Sequence, residues 1–368
     1  MQVLALPGFK SRDDNPYNWL LYTNMQQLGV EVEEYSRSKV WKNRYDIWHL
    51  HWPELPLNGK NRLKAIVKML ELLLQISWAR LQGTKIVWTA HNLAAHERLY
   101  PKLESWFWQA LIQRLDGYIS LSQAGLAAAQ QQFPALTHLP GFVVPHGHYR
   151  GEYVDDLSAQ QARSALKIPI SQKVILFFGR IRAYKNVVEL IRVFKQLDDP
   201  NVVLYIVGRP EFPELRAALQ QESTLDDRVH LCLDFIANDQ VQTYFRAADL
   251  VVLPYREILN SGSALLALSF DRPILVPLKG ALGELQAQVG EPWVHTYSGE
   301  INSATIAESL HWVENTPRTT RPPLEMLDWS ELAQQTLDAY QAIVGVNLGR
   351  RGGTPAVGAL PPHLPFPS

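Results

Sequence analysis

One alternation of short apolar segments and amphipathic helices runs through this 368-residue chain twice, with a polar interval between the runs. In the first run, residues 1–6, 30–35, 47–51, 85–90, 117–122 and 141–145 read as strands, with helices over 17–28 and 60–82. The second run places strands at 174–178, 202–207, 229–233, 250–253 and 274–276, and helices at 187–197, 213–221, 239–247 and 263–270. A strand that returns parallel to its predecessor needs a crossover, usually helical, so this alternation predicts parallel sheets covered by helices. Two runs predict two such α/β units, with ligands held at the carboxyl ends of the strands in a cleft between them. The polar stretch 150–172 sets the boundary near residue 160, giving units over 1–160 and 161–328. Residues 329–347 read as a last helix and the Gly/Pro-rich 348–368 as a disordered tail.

Composition removes several classes of function. Lys and Arg number 35 against 36 Asp and Glu, which excludes a nucleic-acid partner as the default. The single cysteine, Cys232, rules out an internal disulfide and a cysteine-cluster metal site, and its apolar surroundings (229–235) mark a buried, inert thiol. Residues 1–8 lack a basic leader and no run of about 18 uncharged apolar residues occurs, so a cytoplasmic chain without a membrane span is expected. Eleven tryptophans, eight of them before residue 110, provide rings that fill cores, stack on sugars or anchor at lipid interfaces. Residues 60–80 set Lys60, Arg62, Lys64 and Lys68 beside Leu63, Ile66, Val67, Leu70, Leu73, Leu74 and Trp78 at helical spacing. Such a helix either packs on the sheet with a solvated basic edge or meets the inner face of a membrane peripherally.

Two distant segments of the second run fit together chemically. Strand 174–178 runs into Gly179-Arg180-Ile181-Arg182-Ala183-Tyr184-Lys185-Asn186, and strand 250–253 into Pro254-Tyr255-Arg256-Glu257-Ile258-Leu259-Asn260-Ser261-Gly262-Ser263. Small residues at a helix start leave backbone N–H groups facing a phosphate, and the helix dipole favours the negative charge. Arg180 adds a planar fork and Lys185 a point charge. The pattern is that of a nucleoside-diphosphate-sugar donor site; a solvated loop and an ordinary helix cap are the plainer readings of the same residues.

In the first run, His91 follows strand 85–90 and so stands at a carboxyl end facing the cleft. His49 and His51 are read as pointing to opposite faces of their strand, which would exclude a two-histidine metal pair, with His51 towards the acceptor. His146 and His148 straddle Gly147 near the boundary, where hinge packing and substrate contact are both open. The loop after the first strand offers Gly8, Asp13, Asp14 and Asn15, whose carboxylates either cap the next helix or meet an acceptor. No Asp-x-Asp metal motif is present; neither a metal nor a cofactor is expected.

These segments together resemble the GT-B glycosyltransferases, most of all the group 1 (family 4-like) branch with its Gly-Arg-x(4)-Lys motif. The resemblance extends to about Gln341. It includes Asp116-Gly117-Tyr118 with Leu121-Ser122, Val144-Pro145-His146-Gly147, Phe177-Phe178-Gly179-Arg180, Tyr244 to Asp249, Leu253-Pro254-Tyr255 and Asp328-Trp329. It implies an α/β fold of two Rossmann-like domains with parallel sheets facing a cleft, and a C-terminal helix crossing back onto the N-terminal domain. It implies catalytic roles for His91, Arg180 and Lys185. Donor contacts would come from Gly179, Arg180, Lys185, Gly208, Phe235, Ile236, Glu257, Asn260, Ser261, Gly262 and Ser263. Acceptor contacts would come from Gly8, Asp13, Asn15, His51, Trp52 and His146. One departure stands out. The family commonly has two glutamates eight positions apart at the second helix start; Glu257 lies near the first position, but Leu266 occupies the second and cannot bind a ribose hydroxyl. Glu284 is a substitute contact on the following loop.

The function implied is transfer of a hexose from a UDP- or GDP-sugar to a glycan or lipid-linked acceptor without a metal, in polysaccharide or envelope glycoconjugate synthesis. A catalytically silent sugar-nucleotide or glycan-binding protein, a nucleotide-sugar epimerase, a phosphorylase and a membrane-bound scaffold are the competing readings.

Overall fold

A computed structural model describes residues 1–12, 15–94 and 99–345. Asp13, Asp14, the expected tail and the last two residues of the expected terminal helix lie outside the described residues. The first sheet is made of Gln2–Leu6 (β1), Glu31–Glu34 (β2), Ile47–Leu50 (β3), Lys85–Ala90 (β4), Gly117–Ser120 (β5) and Gly141–Val143 (β6). Its helices are Tyr17–Gln27 (α1), Arg37–Lys42 (α2), Arg62–Leu81 (α3), Pro101–Ile112 (α4) and Gln123–Gln132 (α5). The second sheet holds Lys173–Phe178 (β7), Val202–Val207 (β8), Val229–Cys232 (β9), Leu250–Val252 (β10), Ile274–Pro277 (β11) and Val294–Tyr297 (β12). Its segment carries Ala159–Ala165 (α6), Val187–Phe194 (α7), Pro213–Ser223 (α8), Val241–Ala247 (α9), Gly262–Ser269 (α10), Ala281–Val289 (α11) and Ser303–Asn315 (α12), and Trp329–Val344 (α13) closes the described chain.

Every strand pair in both sheets is parallel. Helices on both faces bury these strands, which is why a segment such as Val174–Phe178 is a continuous apolar run rather than an alternating one. The polar interval is not all loop: α6 lies within it, begun by a capping box of Ser158 and Gln161, and packs on α9 through the buried Ala162 and Arg163.

The order of the first sheet is β2-β1-β3-β4-β5-β6 and that of the second β12-β11-β10-β7-β8-β9. The order therefore reverses between β1 and β3 in one sheet and between β7 and β10 in the other. Loops leaving neighbouring strands at such a point diverge to opposite faces and open a crevice. Both segments singled out for phosphate binding leave the second of these points.

The terminal helix does return to the first sheet. It packs on α1, and its Trp329, Leu332, Ala333 and Tyr340 share a core with Val3, Tyr17, Leu21 and Met25. Trp329 Nε1–H donates to the His148 carbonyl at 2.6 Å. Its ring fills the space over Gly147, where a Cβ would come within 2.4 Å.

Candidate functional site

A cleft of about 660 Å³ lies between the carboxyl ends of the two sheets and draws its walls from both. On the second-sheet side, backbone conformation shapes the floor. Gly179 and Gly208, after β7 and β8, have φ of +124° and +137°. A Cβ on Gly208 would sit 2.1 Å from the Gly179 carbonyl oxygen, and one on Gly179 would sit 2.8 Å from Ser263 Oγ. Both positions need glycine for φ and for space. The chain then makes a short turn over Ala183–Lys185, and left-handed Asn186 starts α7.

That turn drives Lys185 inward. It is 9% exposed, with Nζ 5.9 Å from the Phe177 ring centroid and 5.5 Å from that of Tyr255. Burial, reinforced by the neighbouring Arg182 and Arg180, pulls its pKa down to about 7, with Glu211 opposing. Glu211 is already shared by Arg182 at 3.1 Å and Arg180 at 3.4 Å. The result is two guanidiniums and a lysine poised to take up a proton around one carboxylate, an arrangement suited to an incoming anion.

The start of α10 faces this cluster. Ser261 caps it, its Oγ accepting from the Ala264 amide at 3.2 Å. Beside it, Asn260 Nδ2 and Oδ1 are both buried without a hydrogen-bond partner. An orphaned buried amide costs on the order of 1–3 kcal/mol, and a bound polar ligand would relieve that cost.

Across the cleft, Trp52 stacks on His91 at 4.4 Å between ring centroids with an interplanar angle of 23°, and Tyr17 meets His91 edge-on at 4.8 Å. His146 Nδ1 donates to the Gly147 carbonyl at 2.8 Å, leaving Nε2 on the side of Gly262 and Tyr149. Asn15 Oδ1 accepts from the Tyr17 amide at 3.1 Å, just ahead of α1.

Of the residues expected in the site, Gly179, Arg180, Lys185, Gly208, Phe235, Ile236, Asn260, Gly262 and Ser263 line this cleft together with His91, Asn15, Trp52 and His146. Four are placed elsewhere. Ser261 faces a smaller cavity of about 190 Å³. Glu257 is exposed outside the lining. Gly8 is committed to Glu34, whose carboxylate accepts from the amides of Gly8, Phe9 and Lys10 at 3.2, 2.7 and 3.1 Å. His51 is 1% exposed and sits one layer behind the wall, where it cannot touch an acceptor.

His49 and His51 share a face, contrary to the expectation from the sequence. Side chains alternate residue by residue, so positions two apart return to the same side. Their ring centroids are 4.2 Å apart and both rings meet the Tyr22 hydroxyl. Among the described residues, no group of three or more His, Cys, Asp and Glu is placed to hold a metal ion.

Glu284, expected as a substitute ribose contact, is engaged by backbone amides. Its carboxylate accepts from the amides of Gln123 and Ala124, at 2.9 and 2.6 Å, and so tethers the start of α5 to α11 of the other sheet. Glu284→Ala is expected to cost about 1–2 kcal/mol in a thermal melt, the usual value of a charged cap, and to leave nucleotide affinity near normal. A tenfold loss of affinity at unchanged stability would restore it to the ribose.

Sequence reasoning missed Arg182 and Glu211 as parts of the cationic cluster. Arg182, two residues after Arg180, was open to recognition; Glu211 follows a different strand. It also missed Glu54, 2% exposed behind the His91 loop, which accepts from Asn92 at 3.2 Å and whose pKa burial raises to about 8.

Residues 172–297 match the family model described as "Glycosyl transferases group 1". Over 331 residues the chain is 31% identical to GDP-mannose:glycolipid 4-beta-D-mannosyltransferase of Xanthomonas campestris pv. campestris, covering 90% of this chain and 89% of that one. Among solved structures, sucrose-phosphate synthase of Thermosynechococcus elongatus superposes with a TM-score of 0.62 at 15% identity, covering 93% and 94% of the two chains. Anabaena HepE in complex with UDP-glucose gives 0.61 at 17%, covering 94% and 98%.

Proposed function

The chain belongs to the group 1 glycosyltransferases and has their GT-B fold, and from that premise we propose that it moves mannose from GDP-mannose to a lipid-linked glycan acceptor. Lys185 carries the reading: a lysine held below its usual pKa, ringed by Arg180 and Arg182 at the foot of a cleft and facing a helix start. The diphosphate would settle between Gly179 and the amides of α10, next to the unpartnered Asn260 amide. As the bond from the anomeric carbon to the diphosphate breaks, negative charge grows on the leaving oxygen, and Arg180, Lys185 and the α10 dipole stabilise it. His91 stands on the opposite wall beside the sugar. Leu266, 8% exposed on the lining, leaves the ribose hydroxyls to other partners. The choice of mannose and of a glycolipid rests on the Xanthomonas enzyme's name.

The test pairs binding with transfer. GDP at a hundred times its Kd stabilises the native state by about 2.7 kcal/mol, and GDP is expected to raise the melting temperature where UDP and ADP do not. Labelled mannose should pass from GDP-mannose into a lipid extract, and the transfer should survive EDTA. Stabilisation by UDP alone would change the donor. Stabilisation with no transfer to any lipid or glycan extract would favour a silent binding protein, and no stabilisation by any diphosphate would remove the donor site.

The same reading includes peripheral contact with an anionic membrane through α3. Its inner face, with Met69, Leu73 and Ile76, is buried. Its outer face leaves Leu63, Val67, Leu70, Leu74 and Leu81 between 50% and 81% exposed, in one stripe. The exposed, tilted Trp41–Trp78 pair lies beside it, and Lys60, Arg62, Lys64 and Lys68 sit at its start. No described helix is long and apolar enough to cross a membrane. A half-buried amphipathic helix with basic residues is suited to lie in the headgroup layer. The protein should float with phosphatidylglycerol vesicles and not with phosphatidylcholine, and Leu70→Glu with Leu74→Glu should abolish flotation. Equal flotation of that double variant would exclude α3 as the contact.

A further inference from the structure

Behind the cleft wall, a row of buried polar groups runs from the sheet interior to His91. Thr89 Oγ1 lies 2.7 Å from His49 Nε2, and His49 Nδ1 lies 2.6 Å from the Tyr340 hydroxyl. The Tyr22 hydroxyl lies 2.9 Å from the same Nδ1 and 2.6 Å from His51 Nε2. His51 Nδ1 then lies 2.9 Å from His91 Nε2. Tyr22, His49 and Tyr340 are fully buried and His51 nearly so, while His91 lines the cleft. None of this row has a part in phosphate binding.

The geometry points to a defined direction for these bonds: we propose that Tyr22 and His51 act as positioning residues that hold the proton of His91 on Nδ1, so that His91 meets the substrate as a hydrogen-bond donor and not as the base. The inference rests on His91 lying at the sugar, as proposed above, and deepens that reading.

Each ring must carry one proton for such an ordering to exist. Burial supplies this condition: it pulls His49 down to about 3, and it holds His51 and His91 well below the usual histidine range, with neighbouring histidines adding to the effect. Burial likewise raises the Tyr22 and Tyr340 hydroxyls, which keep their protons. Distance then gives direction. A hydroxyl donor makes the shorter kind of bond, whereas an N–H donor runs nearer 2.9–3.0 Å. The 2.6 Å contact between Tyr22 and His51 therefore has Tyr22 donating to Nε2. His49 does not compete for that proton. By the same rule Tyr340, 2.6 Å from His49 Nδ1, donates to that nitrogen, so His49 has its proton on Nε2, donates it to Thr89, and has its Nδ1 lone pair already occupied. With Nε2 accepting, His51 has its proton on Nδ1 and donates it to His91 Nε2 at 2.9 Å. His91 Nε2 is thereby used up as an acceptor, and its proton stands on Nδ1. The Trp52 face and the Tyr17 edge fix the plane of the ring, so the tautomer becomes a fixed donor in the cleft wall.

The experiment combines the nitrogen NMR spectrum of the histidine rings with steady-state transfer in full-length protein. The wild type should show His91 protonated on Nδ1, assigned by its loss in His91→Ala. Tyr22→Phe removes the donor without changing shape, and the His91 signal should move towards the Nε2 tautomer. His51→Leu should lower kcat about tenfold to a hundredfold with KM for the donor nearly unchanged, the usual cost of removing the partner that orients a functional histidine. His51→Asn keeps an N–H at the Nδ1 position and should recover most of kcat. Melting temperatures show that each variant folds. An Nε2-protonated His91 in the wild type, or equal kcat losses in His51→Leu and His51→Asn, would overturn the proposal. The tautomer is read without turnover, so a chain that fails to transfer mannose but shows the Nδ1 form would overturn the function proposed above and leave this assignment standing.

Discussion

Lys185→Met is expected to lower kcat about 100- to 1,000-fold, the usual consequence of removing one preorganised donor from developing charge, while making the folded protein more stable at neutral pH. Both effects share one cause. Lys185 is 9% exposed, two cations neighbour it, and the nearby Glu211 is divided between Arg182 and Arg180. Its folded pKa of about 7 lies below the ordinary 10.5 of the unfolded chain. The unfolded chain thus binds more protons than the native one between those values, and stability rises with pH across that window. Below pH 7 the cost of the buried charge is present in full. The advantage of Lys185→Met in a melt should be largest at pH 6 and gone near pH 10.5. Arg180→Ala should be milder, because that side chain is 64% exposed and already shares its carboxylate. A Lys185→Met protein that turns over normally, or melts lower than the wild type at pH 6, would remove Lys185 from the diphosphate site.

Most strands were legible because parallel strands covered on both faces are written as unbroken apolar runs, as in Val174–Phe178 and Val202–Val207; the edge strand β12, half exposed and carrying His295 and Thr296, was not. The phosphate-binding wall was legible for a related reason. Its residues cluster within one loop after β7 and one before α10, and the reversal of strand order brings those two loops together. Of the helices missed by sequence reasoning, α5 is mostly Ala and Gln and so carries little apolar stripe, whereas α4 does have one, in Phe107, Trp108, Leu111 and Ile112, and was within reach of the periodicity. Contacts between distant parts of the chain carried no local signal. Glu284 holds α5 from 160 residues away, and Tyr340 reaches His49 across 291. The histidine row follows from strand alternation itself: residues 49 and 51 are two apart and share a face, which makes their row of hydrogen bonds possible.

Nucleoside diphosphate binding should take up about 0.9 proton at pH 8, and its association constant should fall about tenfold per unit as the pH rises above 7. The sign follows from Lys185. In the free protein burial, Arg182 and Arg180 favour its neutral form and Glu211 opposes them; the Phe177 and Tyr255 rings that flank it bring no charge. A diphosphate beside Nζ adds negative charge close enough to reverse that balance, so the bound lysine is charged well above pH 7. Between the free and bound pKa values each binding event must draw a proton from solution, and binding weakens as protons become scarce. Calorimetry at pH 8 in two buffers of different ionisation enthalpy reads the proton directly. Lys185→Met should remove the uptake and flatten the pH dependence, whereas Arg180→Ala should lower affinity and keep the slope, because a guanidinium stays charged throughout. Absence of proton uptake in the wild type would mean that Lys185 is already charged before the nucleotide arrives. The cationic cluster would then be a preformed anion site, with its strength set by Glu211, and Glu211→Gln would be the variant that strengthens binding.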